Sequence, residues 1–438
     1  MFQTFKNAWT VPELRKKLLF TLMIVLLYRI GANLYVPYVN ASMLEGYSYF
    51  TDGIFGFMSL LSGSAFSQAT FFALSVSPYI TASIVMQLLT IAIPKLEKLS
   101  KDEEGKKKIS AATRWVTVLL ALITAYGYVN LLNSQGLLTV SSGDSNYVFA
   151  WFVMIACFCA GASIIMWLAE KINEHGIGNG ISIILFANII SSAATSVQSL
   201  IAMVPAGTEN VVLGWILGIL EVILSLALAL GAIILIVWFT NSERRIKVIY
   251  AKKVVGRKMY GGQKTNLPLK MNMAGVMPVI FASSIVSIPA TIAAFIPNTG
   301  FGKFVTEWLG TTSPIYIILF IALIFAFSYF YIAISFNPVE VANNIRSNGG
   351  AIIGIRPQEM APFIKKILNR VTLMGAVFLA IIAGVPLIVS AIVTAVGGNF
   401  TSVAFTGTSL LIAVGVALET VRDLEAQLAM RNYKGFLD

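Results

Sequence analysis

Few residues in this chain have the types and spacing that chemistry requires. There is one histidine, His175, in 438 residues, which excludes a His-rich metal site. The two cysteines, Cys157 and Cys159, lie in an apolar stretch. Buried thiols there behave as small hydrophobes, and two so close together cannot staple a fold. The run Gly176 to Ser182, GIGNGIS, resembles a phosphate loop only in its glycines. No strand precedes it and no P-loop lysine follows, so a tight turn between two helices explains it better. We find no nucleophile–base pair, no paired carboxylates and no metal spacing. The expectation is a conduit, receptor or scaffold, not an enzyme, and without a cofactor.

Composition says where such a conduit sits. The chain is 57% hydrophobic and 12% charged, and its mean hydropathy is +0.81. A soluble domain is nearer ~45–50% apolar and ~25% charged. There is too little polar surface here to cover soluble cores. This excludes a soluble enzyme, a disordered chain and a secreted disulfide scaffold. A polytopic helical membrane protein remains.

About 20 apolar residues cross the ~30 Å hydrocarbon core as a helix. Ten such runs are read, over 18–36, 71–93, 111–133, 148–169, 180–203, 212–239, 273–296, 314–336, 371–396 and 404–426. The first lacks a small-residue cleavage site and is read as an anchor that stays. The net charge of +11 follows the positive-inside rule. Lys6, Arg15, Lys16 and Lys17 precede the first run, while 37–70 has no Lys or Arg. Segment 94–110 holds Lys95, Lys98, Lys101, Lys106, Lys107 and Lys108. Connection 240–272 holds nine Lys and Arg, 337–370 holds five, and the opposite-side connections hold only Lys303. Both termini are therefore expected on the cytoplasmic side.

The two long basic connections have structure of their own. Segment 244–263 alternates in places, at Ile246, Val248 and Tyr250, and contains Gly256, Gly261 and Gly262. That predicts a hairpin. Asn337, Pro338 and Glu340 predict a helix start over 337–348, which Gly349 and Gly350 stop. Such basic protrusions on one face point to a soluble partner.

One segment fits no simple span. Phe55 to Phe66 is apolar but too short to cross. It reads either as a re-entrant plug buried in protein or as an interfacial helix on the outer leaflet. The spans also lack convincing ion-coupling residues. Arg29 and Glu221 each lie near an outer helix end, and Arg29 can snorkel. Thr81, Ser83, Gln87, Ser182, Asn188, Ser283, Ser284 and Ser287 are scattered through the spans. They read as ordinary helix–helix contacts of about 1 kcal/mol or less each, or as an interface that must open without stranding a charge.

At these residues the chain resembles the SecY family, the channel subunits of the bacterial Sec translocase. The matching segments run in family order: Pro78 to Ile84 with Gln87 to Leu89; Gly176 to Ser182; Asn272 to Val276 with Pro278 and Ile280 to Ser284; Phe336 to Pro338; Gly354 to Pro357; and Gly407 to Ile412. The resemblance covers nearly the whole chain. It implies an all-α protein of ten transmembrane helices in two inverted five-helix halves, 1–203 and 204–438, around a central pore.

The resemblance also implies site residues. A pore ring falls on Val76, Ile80, Ile181, Leu185, Ile280 and Ile412. A plug helix over about 55–67 includes Phe57, Met58, Leu60, Leu61, Gly63 and Phe66. A lateral gate includes Thr81, Gln87, Ser283, Ser284 and Ile288. Docking residues are Arg244, Arg245, Lys252, Lys253, Arg257 and Lys258 on loop 240–272 and Arg356 on loop 337–370. The implied partners are SecE and SecG subunits, the SecA ATPase, ribosomal RNA, signal peptides and nascent membrane proteins, and the lipid bilayer. The implied location is the bacterial cytoplasmic membrane. The activity implied is passive conduction of unfolded polypeptide, with lateral release of hydrophobic segments. A secondary transporter with inverted repeats is the alternative, and a scaffold without a pore is a weaker one.

Overall fold

The computed structural model describes residues 2–44, 53–140, 146–203, 211–250, 252–255, 258–261, 264–295, 299–310, 313–395 and 406–434. In chain order these form α1 (Phe2–Thr10), α2 (Pro12–Gly31), α3 (Ala41–Leu44), α4 (Gly53–Ser62), α5 (Ser77–Ala92), α6 (Pro94–Lys101), α7 (Glu103–Ser134), α8 (Tyr147–His175), α9 (Gly180–Met203) and α10 (Val211–Asn241). Four strands follow: β1 (Glu243–Tyr250), β2 (Lys252–Val255), β3 (Lys258–Gly261) and β4 (Lys264–Lys270). Then come α11 (Met277–Phe295), α12 (Gly300–Trp308), α13 (Pro314–Ser335), α14 (Pro338–Ser347), β5 (Gly350–Ile352), α15 (Met360–Ala395) and α16 (Thr406–Lys434).

Each of the ten apolar runs overlaps a helix. By length and composition, α7, α8, α13 and α15 are able to cross a membrane. The pair α5 and α6 is a fifth candidate, bent by 106°. The bend has a local cause. Pro94 opens α6 and forces Ile93 into extended backbone. Helices α2 and α16 carry charges within their ends, such as Arg15 and Lys16 or Asp423 and Glu425, which shortens their apolar stretches.

The run 71–93 is only partly helical. Residues 63–76 turn through the bundle before α5 begins at Ser77. Ser64, Ala69 and Ser75 hold φ of 72°, 47° and 52°, a sparsely populated region for such residues. Hydropathy reads this stretch as span because Ala65, Phe66, Ala69, Phe72, Ala73 and Leu74 are all buried. Its backbone is satisfied inside the protein. Phe66 N donates to Ser62 Oγ, Thr70 N to the Ala65 carbonyl and Tyr128 Oη to the Phe66 carbonyl. Irregular backbone at membrane depth is tolerated under that condition.

The long helices pack in two groups of the same order. In the first, α5 packs on α7, α7 on α8 and α8 on α9, with α2 against α8 and α9. In the second, α11 packs on α13, α13 on α15 and α15 on α16, with α10 against α16. The groups meet along two seams. One joins α9 to α16 and α10; the other joins α5 and α7 to α11. A single apolar core spans both groups, from Ile24 and Tyr28 of α2 to Leu411 and Val416 of α16. Among lipid tails, close packing rather than water exclusion holds such a core.

At the basic end, β4, β1 and β5 form one antiparallel sheet. Glu243 pairs with Lys270 and Val248 with Thr265 on one side of β1, while Val248 pairs with Ile352 on the other. Strands β2 and β3 extend the β1–β4 hairpin outward, with Lys252 opposite Gly261. The expected hairpin is therefore present and reaches to Lys270. Ile246 and Val248 alternate with exposed neighbours and pack with Leu269, Ile352, Ile345 of α14 and Met360 of α15. The helix at 337–348 starts as expected. Asn337 Oδ1 accepts from Val339 N at 3.1 Å and Glu340 N at 3.4 Å, and α14 ends before Gly349.

Candidate functional site

The six expected ring residues come from four helices, and all six belong to the common apolar core or pack against it. Val76 caps α5 and Ile80 sits one turn on, its amide bonded to the Val76 carbonyl. Ile181 and Leu185 are one turn apart near the start of α9. Ile280 is in the first turn of α11 and Ile412 in the second turn of α16. Val76, Ile80, Leu185, Ile280 and Ile412 are buried in the common core, and Ile181 packs against it. Ile80, Leu185, Ile280 and Ile412 line one small cavity. Its free volume is about 20 Å³, room for about one water. Val76 and Ile181 do not line this cavity.

The plug expectation falls on α4 and the turn after it. Met58 and Leu61 line the same cavity as the ring residues. The end of α4 is tied down at one atom. The Leu61 carbonyl accepts from Asn188 Nδ2 of α9 at 2.8 Å and from Ser75 Oγ at 3.2 Å. Gly63 follows with φ 66°, and a Cβ there would lie 2.7 Å from Arg29 Nη1 and 2.9 Å from Asn188 Oδ1. Only glycine fits this corner. Phe66 is buried against Tyr128, with ring centroids 4.6 Å apart. The side chains of Phe57 and Leu60 lie outside the described residues. Asn188 is legible in the sequence only as a polar residue in apolar surroundings, and Ser75 was missed; their partner, a backbone carbonyl, leaves no mark in sequence.

The gate expectation falls on the α5–α11 seam. Thr81 and Gln87 are on α5; Ser283, Ser284 and Ile288 are on α11. Ser283, Ser284 and Ser287 face the ring cavity. Their hydroxyls do not bridge the helices. Ser283 Oγ and Ser284 Oγ donate to the Ile280 carbonyl at 2.9 and 2.8 Å, and Ser287 Oγ donates to the Ser284 carbonyl at 2.8 Å. Gln87 Nε2 likewise donates within α5, to Ser83 Oγ at 3.4 Å. Of the two readings of these polar residues, cross-seam contact is the one these bonds do not supply.

The docking expectation falls on the basic end. Arg244 and Arg245 are exposed on β1, and Arg245 Nε donates to Glu243 Oε1 at 2.6 Å. Lys252 and Lys253 lie on β2 and Lys258 on β3; Arg257 is outside the described residues. Arg356 is exposed in the turn between β5 and α15. Because β1 pairs with both β4 and β5, both basic connections belong to one sheet. A second, wetter cavity of about 270 Å³ opens between this sheet and α16, lined by Thr240, Lys270, Asn272, Gly275, Glu419 and Arg422. Arg422 Nη2 donates to the Thr240 carbonyl and Asn241 Oδ1 at 2.9 and 2.8 Å. Burial, and Arg422 nearby, push the Lys270 amine below the usual lysine range. Among the described residues no cluster of His, Cys, Asp and Glu could hold a metal.

Comparison with known proteins identifies the family and the fold. A family profile described as SecY matches residues 70–421. The chain is 43% identical over 450 residues to the protein translocase subunit SecY of Streptomyces galbus, covering all of both chains. It is 39% identical over 444 residues to the subunit of that name from Bacillus subtilis strain 168, again covering all of both. Among solved structures, one described as a protein-conducting channel superposes with a TM-score of 0.62 at 19% identity, covering 94% of this chain and 92% of that one. The Sec61 channel of a canine ribosome–channel complex gives 0.58 at 17%, covering 94% and 92%. At such identities the structures speak to fold alone.

Proposed function

The chain belongs to the SecY family of protein translocase subunits, and from that premise we propose that it is a passive protein-conducting channel whose parts are those described above. It moves unfolded secretory polypeptides across the membrane and releases hydrophobic segments sideways into lipid. The observation that carries this reading is the single cavity. Residues from four helices, the end of α4 and the serines of the α5–α11 seam all face it. A ring, a stopper and a side exit would have to meet at such a point.

Each part acts through simple physics. Aliphatic side chains offer ions and water no hydrogen bonds, so a narrow ring gates by dewetting. They also let any sequence slide past, where a charged ring would trap opposite charges. Helix α4 closes one wall of the cavity at rest. The seam between α5, α7 and α11 parts to let a segment leave, and partitioning then follows its hydrophobicity, about −0.3 to −0.6 kcal/mol per central Leu or Ile. The chain itself performs no chemistry; the ATPase is a partner.

The ten long helices are read as ten spans, in two inverted halves over 1–203 and 204–438. The repeated packing order of the two groups supports this. The basic end faces the cytoplasm of a bacterial cell, with both termini there. SecE would brace the halves from outside, with SecG beside it. SecA and the ribosome would dock on the sheet through Arg244, Arg245, Lys252, Lys253, Arg257, Lys258 and Arg356. Basic side chains suit ribosomal RNA phosphate and acidic protein surface alike. Identity to translocase subunits over the full chain disfavours the transporter alternative.

A site-specific crosslink tests the conduit. Cys157 and Cys159 are replaced by Ala, and one cysteine is placed at Ile80 or Ile412. A secretory precursor carrying a cysteine is arrested partway and oxidised. Disulfides are expected at both ring positions and not at lipid-facing Trp115. No disulfide at either, despite bound precursor, would overturn the pore.

A further inference from the structure

The run GIGNGIS enters the pore as described only through Ile181, yet four helices converge on it. Its amides are captured in succession. Ile177 N donates to Thr21 Oγ1 of α2 at 3.2 Å, and Gly178 N to Asp423 Oδ2 of α16 at 3.0 Å. Gly180 N donates to Asn173 Oδ1 of α8 at 2.7 Å, and Ile181 N to Asn179 Oδ1 at 3.1 Å. The first amides of a helix have no partner within it and attract negative charge. In α9 that demand is met at Gly180 and Ile181 by Asn173 and Asn179, and in the turn just before the helix the Gly178 amide is held by a carboxylate from another helix. Gly178 holds φ +74°, and a Cβ there would lie 3.2 Å from Thr420 Oγ1, so α16 lies close against this turn.

Asp423 is itself held. Gln427 Nε2 donates to the same Oδ2 at 3.2 Å, and Lys17 Nζ of α2 donates to Gln427 Oε1 at 3.2 Å. Leu424, one residue on, is fully buried against Ile177, Leu14 and Ala8. The two helices joined at this point are the ones that bring Leu185 and Ile412 to the ring cavity. Leu185 lies about two turns from Gly178 along α9, and Ile412 about three turns from Asp423 along α16. A bond fixed at these ends sets how far one helix can slide along the other.

We propose that Asp423 is a positioning residue for the pore. Its bond to Gly178 fixes the axial register of α9 on α16, and so sets how tightly Ile181 and Leu185 close against Ile412. The proposal rests on the ring reading. It adds that ring closure is governed from the cytoplasmic ends of two helices, some turns away from the ring.

The test uses the assembled translocase in liposomes, with Cys157 and Cys159 replaced by Ala. Two quantities are read: resting ion conductance, and disulfide yield between cysteines at Leu185 and Ile412. Asp423→Leu removes the acceptor, and conductance is expected to rise about tenfold while the yield falls severalfold. Asp423→Asn keeps an acceptor for the Gly178 amide and is expected to stay within about twofold of the parent on both readings. Parental values in Asp423→Leu, or an Asn variant as leaky as the Leu variant, would overturn the proposal. Should the Leu variant not assemble, Asp423→Ala removes the same acceptor for Gly178 N with a smaller side chain. It is expected to shift both readings the same way, and unchanged values would overturn the proposal equally. Failure of the ring reading shows differently. In that case a cysteine at Ile412 in the parent captures no arrested precursor, whatever Asp423 does.

Discussion

Asn188 shows what one polar side chain can hold in an apolar core. It is fully buried, and its amide donates to the last carbonyl region of α4, at Leu61. Replacing it by Leu removes that donor and leaves the Leu61 carbonyl with Ser75 alone. A buried hydrogen bond contributes about 1 kcal/mol, and Ser75 keeps the Leu61 carbonyl from being stranded. Asn188→Leu is therefore expected to loosen α4 by a comparable amount. Resting ion conductance in liposomes should rise severalfold, and a crosslink from Met58 to Ile280 should weaken. Unchanged conductance and crosslinking would remove Asn188 from the closed state. Sequence could mark Asn188 only as unusual for its surroundings. The ring residues were harder still: six aliphatic positions among many like them are indistinguishable by type. Only the resemblance selected them, and the fold brings four of them to one cavity.

At the scale of elements, hydropathy located the helices because about 20 apolar residues are what a helix needs to cross. It misread 71–76, since a buried irregular strand of chain is as apolar as a helix. It could not see the β1–β5 pairing either, because backbone ladders between distant segments have no compositional signature. That pairing has a measurable result. Val248 is 2% exposed and packs on Ile352. An aspartate there would bury an unpaired charge and is expected to cost about 3 kcal/mol. Amide exchange should then speed up together over β1, β4 and β5. Binding of ribosome and motor should both fall, although the basic residues remain. Exchange confined to β1 would mean that the two connections are separate bodies. The α5–α11 seam predicts the opposite kind of result. Ser284 returns its hydroxyl to its own helix, so Ser284→Ala is expected to change insertion of a model membrane anchor by less than about twofold. A large loss would place a cross-seam bond there.

For the whole molecule, the proposed orientation rests on the alternation of basic connections. Single cysteines at Lys106 and Ser347 should react with an impermeant maleimide only from the cytoplasmic side. Those at Gly136 and Lys303 should react only from the opposite side. Any reversal would break the ten-span topology, because every span between two misplaced loops would be inverted. The shared sheet has a consequence in time as well as in space. Strand β1 has a partner as soon as β4 is made, but β5 begins 80 residues after β4 ends, Gly350 against Lys270. At synthesis rates of about 5–20 residues per second, that interval is about 4–16 seconds. During it, the hairpin of a newborn chain has one open edge and an uncovered apolar face. A chain stalled at residue 345 should thus show its hairpin cleaved readily by trypsin, and one stalled after α15 has emerged should not. The surface that would receive ribosomes is completed late in the protein's own birth, so a half-made copy cannot compete with finished ones for them.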